Sequence, residues 1–468
     1  MPSIVNYIVV RRMYVIGQIL KSLRENKALQ LSEVQEATGV DATNISRIEN
    51  GHRLPTIRQI ELLAELYDVS TEALIAERES DKILEGIEYK HVASNALQIA
   101  EAKLLYGTKY FSTLNSTQFI KPLTLENRRY IGSKAKLTDW ILEIIKKHAG
   151  IGGTFCDLFS GTGVVANKAL SNYDQVIVND LLYSNNAIYK GFLSNGIWNR
   201  EKIYDLLDYF NSLNPEELPD NYFSRNFGGK YYEQNVAKKI GYIRQNIEDI
   251  KSELTDKEYN ILIATLIYNI DRLANTVGHF DAYIKKRIPT QELVLRPIDV
   301  RNYPNVTIYR EDANKLARQV SADIVYIDPP YNSRQYCRFY HLYETLVKWD
   351  KPELFGVALK PAPENMSRYC TVKAIDAFRD LVSQIDTKYL AISYNNTYNS
   401  KSSSSTNKIK LEEIKEILNM CGETKVFSHA HQYFNTGKTD FDNHREYLFI
   451  TKIDHAKRDQ AFASLLRW

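Results

Sequence analysis

The 468-residue chain has little of several features that would place it in a specialised class of protein. It has four cysteines and no Cys-x-x-Cys pair, which argues against a disulfide scaffold and a zinc site and predicts free thiols in a reducing compartment. Its most apolar stretch, residues 261–267, is far shorter than the ~20 residues of a membrane span. The net charge is only +3, so any surface that binds nucleic acid must be local.

What is present is typical of a folded protein. Apolar residues make up 44% and charged residues 25%, which excludes a disordered or fibrous chain. The opening string MPSIVNYIVVRRM has an apolar patch too short for a secretory signal, so we expect a cytoplasmic protein without a membrane segment. The sequence leaves open whether Met1 or Met13 is the true start.

The first 76 residues predict five short helices, because apolar residues recur there at helical spacing. Gly39 ends the second helix and Asp41 is placed to cap the third, which carries Thr43, Asn44, Ser46 and Arg47. Two short helices joined by a tight glycine turn predict a helix-turn-helix.

The string LSEVQEATGVDATNISRIENGHRLPTIRQIELLAELYDVS resembles the lambda-repressor/Cro-like helix-turn-helix family over about 60 residues. The resemblance implies that Thr43, Asn44, Ser46 and Arg47 face the DNA major groove, and that the unit forms a homodimer. However, residues 14–75 hold six Lys/Arg against nine Asp/Glu. A helical docking or dimerisation module without DNA therefore remains the alternative.

Four motifs follow a helical connector and linker at 79–127. They are RYIGSK at 129–134, TFCDLFSGTG at 154–163, VIVND at 176–180 and ADIVYIDPPY at 322–331. The second and third form a strand, a glycine-rich turn, a helix and a strand ending in Asp180, which is a βαβ unit that binds a nucleotide-like ligand. Because no phosphate-cradling Lys-Ser/Thr is present, a nucleoside without pyrophosphate fits best, namely S-adenosylmethionine.

The residues of the DPPY tetrapeptide suit methylation of the adenine amine for a chemical reason. The exocyclic amine of adenine is a poor nucleophile, because its lone pair is delocalised into the ring. A carboxylate and a backbone carbonyl that accept its two N–H groups direct electron density towards a methyl group, and two prolines fix that carbonyl. Tyr331 would stack on the base, which must first be flipped out of a duplex or be single-stranded.

Together the motifs resemble the Dam-type adenine-specific DNA methyltransferases over residues 128–452, with the late SYN (393–395) and EYLF (446–449) strands also in order. The resemblance implies a Rossmann-like α/β methyltransferase sheet at 128–185 and 301–455, preceded by the all-α helix-turn-helix domain at 1–78. It implies transfer of a methyl group from S-adenosylmethionine to adenine N6, without a metal ion.

The resemblance also implies the site residues. Asp328, Pro329, Pro330 and Tyr331 would hold the target base. Tyr130, Gly132, Ser133 and Lys134 would hold the methionine end of the cofactor. Its pocket would be lined by Asp157, Phe159, Ser160, Gly161 and Gly163. Asp180 would take the ribose hydroxyls and Asp312 would contact the adenine of the cofactor.

Asp312 lies 132 positions after Asp180, and this long separation predicts an inserted target-recognition subdomain at 186–300. Its segment 225–244 has five Lys/Arg against one Glu, interleaved with aromatic residues, as in surfaces that contact DNA. The predicted DNA contacts are Arg225, Lys230, Lys238, Lys239 and Arg244. A solvated amphipathic helix over a tyrosine-rich core is the alternative.

The sequence therefore predicts a site-specific DNA methyltransferase, the modification enzyme of a restriction–modification system with a cognate restriction endonuclease. The helix-turn-helix would repress its own promoter or add DNA affinity. Three rivals remain. One is an amino-methyltransferase acting on cytosine N4 or RNA. The second is a protein-glutamine methyltransferase, against which Asp328 argues. The third is a transcription regulator whose methyltransferase fold is a sensor.

Overall fold

A computed structural model of the chain describes residues 15–85, 122–285, 288, 292–397, 406–430 and 445–465. The start of the chain and most of the predicted connector, residues 86–121, lie outside the described residues. The chain divides into two compact units, residues 1–118 and 119–468, and each is described by itself.

The first unit consists of short helices, as predicted. They are α1 (Val15–Asn26), α2 (Leu31–Thr38), α3 (Ala42–Glu49), α4 (Ile57–Tyr67) and α5 (Thr71–Glu85). Gly39 ends α2 with a φ of 74°, a left-handed conformation that glycine adopts without strain. The Asp41 side chain accepts hydrogen bonds from the backbone N–H groups of Thr43 and Asn44, at 3.0 and 3.1 Å. The predicted turn and cap of the helix-turn-helix are confirmed.

Two polar contacts tie this small unit together around its apolar core. Arg24 on α1 forms a bidentate salt bridge with the buried Glu49 of α3, in which Nε lies 2.7 Å from Oε1 and Nη2 lies 2.8 Å from Oε2. The backbone N–H of Ile16 donates to Asp81 of α5 at 2.9 Å, which links the first helix to the fifth. Both acids are buried and paired, as burial of a charge requires.

The second unit contains one seven-stranded sheet in the order β3-β2-β1-β4-β5-β7-β6. The strands are β1 (Thr154–Asp157), β2 (Gln175–Asn179), β3 (Val306–Tyr309), β4 (Ser321–Ile327), β5 (Asp386–Asn395), β6 (Gly422–Ala430) and β7 (Arg445–Ile453). The first five strands in this order are parallel, and β7 runs antiparallel to both β5 and β6. The predicted Rossmann-like α/β fold is confirmed.

Helices cover both faces of the sheet. They are α6 (Thr138–Ala149), α7 (Val164–Ala169), α8 (Tyr183–Phe192), α9 (Arg200–Ser212), α10 (Tyr222–Phe227), α11 (Gln234–Asp249), α12 (Asp256–Asp271), α13 (Ala313–Leu316), α14 (Tyr336–Phe339), α15 (His341–Lys348), α16 (Ala374–Gln384), α17 (Leu411–Cys421) and α18 (His455–Leu465). Because side chains alternate along a strand, Phe155 packs into one core and Cys156 into the core on the opposite face. The four cysteines are buried free thiols.

The segment between β2 and β3, where the insert is predicted, consists of helices α8 to α12 in its described part. Helix α12 is buried along almost its whole length and packs against α8. The approach is close at Gly191, where a Cβ atom would lie 2.7 Å from the carbonyl oxygen of Asn260. These helices share one core with the sheet, so the insert is continuous with the catalytic fold.

One edge of the sheet gathers the predicted motifs. The carboxyl ends of the parallel strands β1, β2, β4 and β5 meet there, which is where ligands bind in such sheets. Because β7 is antiparallel, its amino end lies at the same edge, and Glu446 stands opposite Asn395 of β5. None of the helices in the described ranges is long and apolar enough to cross a membrane.

Candidate active site

Four polar side chains meet directly after β4. The Lys134 ammonium lies 2.9 Å from Oδ2 of Asp328 and 3.2 Å from Oε1 of Glu446. The Tyr331 hydroxyl lies 3.0 Å from Lys134 Nζ and 2.8 Å from Glu446 Oε1, and it also contacts Asp328 Oδ1. Lysine and glutamate are almost fully buried. We call these four residues the Asp328 cluster.

The electrostatics of the Asp328 cluster follow from one cation between two carboxylates. Burial raises the pKa of Asp328; Lys134 lowers it, and the neighbouring charge of Glu446 raises it again, so that the result lies above the ordinary value. Burial lowers the pKa of Lys134, but Asp328 and Glu446 together outweigh burial and raise it to about 12. The ammonium is therefore charged at neutral pH.

The RYIGSK segment is held in place by tyrosines that follow DPPY in the chain. The backbone N–H of Ile131 donates to the Tyr340 hydroxyl at 2.8 Å, and the Tyr336 hydroxyl donates to the Ile131 carbonyl at 3.1 Å. The Tyr130 ring stacks on Tyr340 with 4.5 Å between ring centres. The two motifs are thus assembled as one structure, a link that the sequence alone did not indicate.

The glycine-rich turn after β1 is tied to the acid after β2. Gly161 and Gly163 have φ values of 53° and 77°, and a Cβ atom on Gly163 would lie 2.9 Å from the Tyr189 ring. Asp180 accepts hydrogen bonds from the backbone N–H groups of Gly161 (3.0 Å) and Leu182 (2.9 Å). The turn therefore requires glycine, and Asp180 keeps it close to β2.

Asp157, at the end of β1, is the most deeply buried of the acids Asp157, Asp180, Asp328 and Glu446. Its side chain is 1% exposed, and neither carboxylate oxygen has a hydrogen-bond partner within the described part of the chain. Burial raises its pKa well above the ordinary range and Asp328 and Asp180 raise it further, whereas the nearby Ser160 hydroxyl and the backbone N–H of Phe159 offset part of the effect. A buried carboxylate without a partner is costly, so this position fits a ligand that supplies a cation or hydrogen-bond donors.

Phe159 and Asp312, two other residues predicted to contact the cofactor, are engaged by the chain itself. The Phe159 ring meets Tyr369 edge-on at 5.1 Å. Asp312 caps α13 by accepting from the backbone N–H groups of Asn314 and Lys315, at 3.1 and 3.2 Å. Asp312 therefore has a structural role as a helix cap, and its contact with the adenine of a cofactor stays a prediction.

Comparison with known proteins decides the family. Residues 130–417 match the family model of the D12 class N6 adenine-specific DNA methyltransferases. The chain belongs to this class. Residues 20–74 match a helix-turn-helix family. Both resemblances predicted from the motifs are confirmed, as is the class of enzyme.

Several relatives are methyltransferases. The chain is 32% identical to the Type II methyltransferase M.NlaIII of Neisseria lactamica over 69% of its own length and 98% of the relative. It is 33% identical to the Type II methyltransferase M.FokI of Planomicrobium okeanokoites, over 70% of its own length and 53% of the relative. The D12 chain thus spans about half of M.FokI and nearly all of M.NlaIII.

Two of the basic residues predicted to contact DNA require correction. Lys239 is 1% exposed and donates to the carbonyl of Asn211 at 3.0 Å. Arg244 is fully buried and donates to the carbonyl of Leu346 at 2.6 Å and to Glu248 at 2.9 Å. Both lie on the apolar face of α11, so their charges cannot reach a phosphate. Lys239 ties α11 to α9 within the insert, and Arg244 joins the insert to α15.

We expect Arg244→Met to destabilise the D12 enzyme by about 1–3 kcal/mol, because the carbonyls of Leu346 and Val347 lose the buried donor that they share. Urea unfolding measures the loss, and Arg225→Met, an exposed position on α10, is the matched control with almost no expected effect. Equal stability of the two variants would contradict the structural role of Arg244.

The remaining predicted contacts of the insert stay predictions. Arg225 is exposed, and Lys230 and Lys238 are partly exposed. Most of the interleaved aromatic rings are in the core rather than at the surface, namely Phe223, Phe227, Tyr231 and Tyr232. A tyrosine-rich core beneath a helix, the alternative interpretation of this segment, therefore accounts for most of it.

The predicted recognition helix α3 presents the expected side chains at its surface. Thr43 and Arg47 are exposed, and Asn44 and Ser46 are partly exposed. The Asn44 side chain accepts a hydrogen bond from Arg53 at 2.8 Å, which places a second arginine beside the helix. The apolar residues Ile45 and Ile48 of α3 face the core, which leaves the four predicted polar residues of the helix at the surface of this unit.

Proposed function

We propose that the chain transfers a methyl group from S-adenosylmethionine to the N6 amine of an adenine in double-stranded DNA at one short sequence. The observation that carries the proposal is the partly buried Asp328 carboxylate, which lies at the carboxyl edge of the sheet with its Oδ2 2.9 Å from the Lys134 ammonium. The chain belongs to the N6 adenine-specific class of methyltransferases, and the N6 atom of adenine is an exocyclic amine.

The residues present fit the proposed cofactor. The two unpartnered oxygens of Asp157 match the ammonium group of a methionine moiety, and Asp180 keeps lone pairs for hydroxyl groups after accepting two backbone bonds. The glycine turn beside them lets the ligand approach the backbone closely. When bound, the cofactor supplies an electrophilic methyl group.

The chain's own groups then act on the base. Asp328 accepts one N–H of the adenine amine and the carbonyl of Pro329 accepts the other, which turns the nitrogen lone pair towards the methyl donor. The two prolines fix the direction of that carbonyl. We propose that the base is flipped out of the duplex to reach this partly buried carboxylate, and that Tyr331 contacts its ring.

Modified-base sequencing tests the proposal. The chain is expressed in a methylation-free host, and its plasmid DNA is sequenced alongside DNA from cells expressing Asp328→Ala. We expect N6-methyladenine at one short motif with the wild type and none with the variant. A soluble wild-type protein that binds S-adenosylmethionine but leaves DNA unmodified would refute DNA as the substrate. It would favour RNA or a regulatory role.

We also propose a restriction–modification setting with a partner endonuclease, since relatives are Type II methyltransferases and modification methylases. In that setting the helix-turn-helix binds DNA as a homodimer and either represses the enzyme's own promoter or adds affinity for the substrate. The exposed polar face of α3 supports DNA as its partner.

Thr43→Ala combined with Arg47→Ala is expected to abolish operator binding while leaving methylation of a short duplex within about twofold of wild type. The reason is that base-edge and phosphate contacts from a recognition helix each contribute about 1–3 kcal/mol. Gel-shift assays on the upstream region and methyl transfer on an oligonucleotide measure the two effects. Parallel loss of both would instead assign the helix-turn-helix to the methylation site.

A further inference from the structure

Glu446 is a buried acid of the site that the predicted roles leave unused. It is 3% exposed, lies at the start of β7, and contacts both donors that also contact Asp328. Lys134 Nζ is 3.2 Å from Glu446 and 2.9 Å from Asp328. The Tyr331 hydroxyl is 2.8 Å from Glu446 and also contacts Asp328. Two carboxylates therefore share the same two donors.

This sharing matters because Asp328 has to be accessible to the substrate. On the proposed function, its carboxylate accepts an N–H of the adenine amine, yet in the structure both of its oxygens are engaged by the chain itself. A donor displaced from Asp328 needs another acceptor, since an unpaired ammonium in a buried site is strongly unfavourable. The Tyr331 hydroxyl has one proton and can donate it to only one carboxylate at a time.

We propose that Glu446 is a positioning residue that releases Asp328 for the target adenine. When the adenine amine binds to Asp328, Lys134 and Tyr331 keep their bonds to Glu446, so neither donor is left unpaired. The inference rests on the proposed function and adds to it a residue from a strand 118 positions further along the chain than Asp328. Glu446 acts through Lys134 and Tyr331 and does not itself contact the base.

The location of Glu446 supports this role. Tyr394 of β5 packs its ring against Tyr331 with 4.4 Å between ring centres, and its hydroxyl donates to the Tyr331 carbonyl at 3.3 Å. The Tyr331 backbone is also fixed by the backbone N–H of Lys408, at 2.7 Å. The tyrosine is thus held against β5, next to β7, where its hydroxyl reaches Glu446 as well as Asp328.

The main test is Glu446→Gln, which keeps the size of the side chain and removes its charge. Lys134 then pairs with Asp328 alone and competes with the adenine amine. We expect kcat to fall about 10- to 100-fold, as for loss of a charged hydrogen bond. Affinity for S-adenosylhomocysteine should stay within about twofold, because the residues proposed for the cofactor are untouched. Glu423→Gln, an exposed glutamate on β6, is the control with no expected effect on kcat.

The pH profile separates this role from a merely structural one. Asp328 faces the following ionisable groups: Lys134 before α6, Glu446 on β7, Tyr331 in its own loop, Asp157 on β1 and Tyr326 on β4. Removing the negative charge of Glu446 lowers the pKa of Asp328, because like-charge repulsion disappears and the pairing with Lys134 remains. The acidic limb of kcat should therefore move to lower pH in Glu446→Gln.

A double variant keeps the proposal testable even if Glu446→Gln folds poorly, since Lys134→Met with Glu446→Gln contains no unpaired ammonium. Because Glu446 acts through Lys134 and Tyr331, the double variant should lose much less activity than the product of the two single losses. Losses that multiply, an unchanged kcat in Glu446→Gln, or an unmoved acidic limb would each overturn the inference. Absence of methylation by the wild type would instead refute the proposed function, so the two failures are distinguishable.

Discussion

Asp328→Asn is expected to lower kcat for methyl transfer at least about 100-fold, comparable to the loss of one transition-state hydrogen-bonding group in other enzymes. The amide keeps the shape of the side chain, but it withdraws the negative charge that accepts the N–H of the adenine amine. Transfer of a labelled methyl group to a duplex carrying the mapped site measures the effect. Affinity for S-adenosylhomocysteine should change little, which separates chemistry from cofactor binding.

The pH dependence follows from the same residue. Asp328 accepts the amine proton only as a carboxylate, which is the form present above its pKa. Because burial raises that pKa, kcat of the wild type should begin to fall with decreasing pH above the ordinary aspartate value of about 3.9. The residual rate of Asp328→Asn should lack this limb. Asp386→Asn, exposed at the amino end of β5, is the control. A rate in Asp328→Asn above a tenth of wild type would contradict the assigned role.

The parts of the site that were predicted correctly from the sequence are local. A buried strand, a glycine turn and a helix lie within about 25 residues in a βαβ unit, so the positions of Asp157 and Asp180 at strand ends could be inferred from hydrophobic pattern and turn chemistry. Parallel strands then bring these ends to one edge without any further information. For the same reason the Gly39 turn and the Asp41 cap of the helix-turn-helix were predictable.

The parts that sequence reasoning missed depend on long-range register. Glu446 reaches the site because β7 is antiparallel to β5 and pairs it with Asn395, and neither fact is encoded near position 446. The DPPY motif indicated the chemistry of amine methylation. It did not indicate which cation pairs with the carboxylate of Asp328. The resemblance assigned Lys134 to the cofactor, which stays a prediction, and gave no indication that its ammonium lies against Asp328.

The burial of Lys239 and Arg244 in the insert could have been predicted from the sequence pattern of α11. Val236, Ile240, Ile243 and Ile247 recur at helical spacing and define the buried face of α11. Lys239 lies four residues before Ile243, and Arg244 lies four residues after Ile240, so both cations belong to that face. Counting charge along the segment obscured this, because a net charge says nothing about direction around a helix. Arg225 lies on α10 rather than α11 and is exposed, so its predicted contact with DNA stays a prediction.

The cofactor pocket yields the second large prediction, Asp157→Asn. Neutralising this carboxylate removes the group that we propose pairs with the cofactor ammonium, so the dissociation constant for S-adenosylhomocysteine should rise about 10- to 100-fold. Without ligand, the same change should raise the melting temperature, because it removes a buried carboxylate that has no partner among the described residues and lies near Asp328 and Asp180.

Opposite signs in binding and stability are the distinguishing feature of this prediction. Replacing a residue that stabilises the fold lowers the melting temperature. Replacing a buried acid that serves a ligand weakens ligand binding but stabilises the free protein, because the acid is uncompensated until the ligand binds. Isothermal titration calorimetry and thermal unfolding of the same preparation measure the two quantities, with Asp139→Asn at the exposed start of α6 as the control. A lower melting temperature together with unchanged ligand affinity would show that Asp157 stabilises the sheet rather than the cofactor.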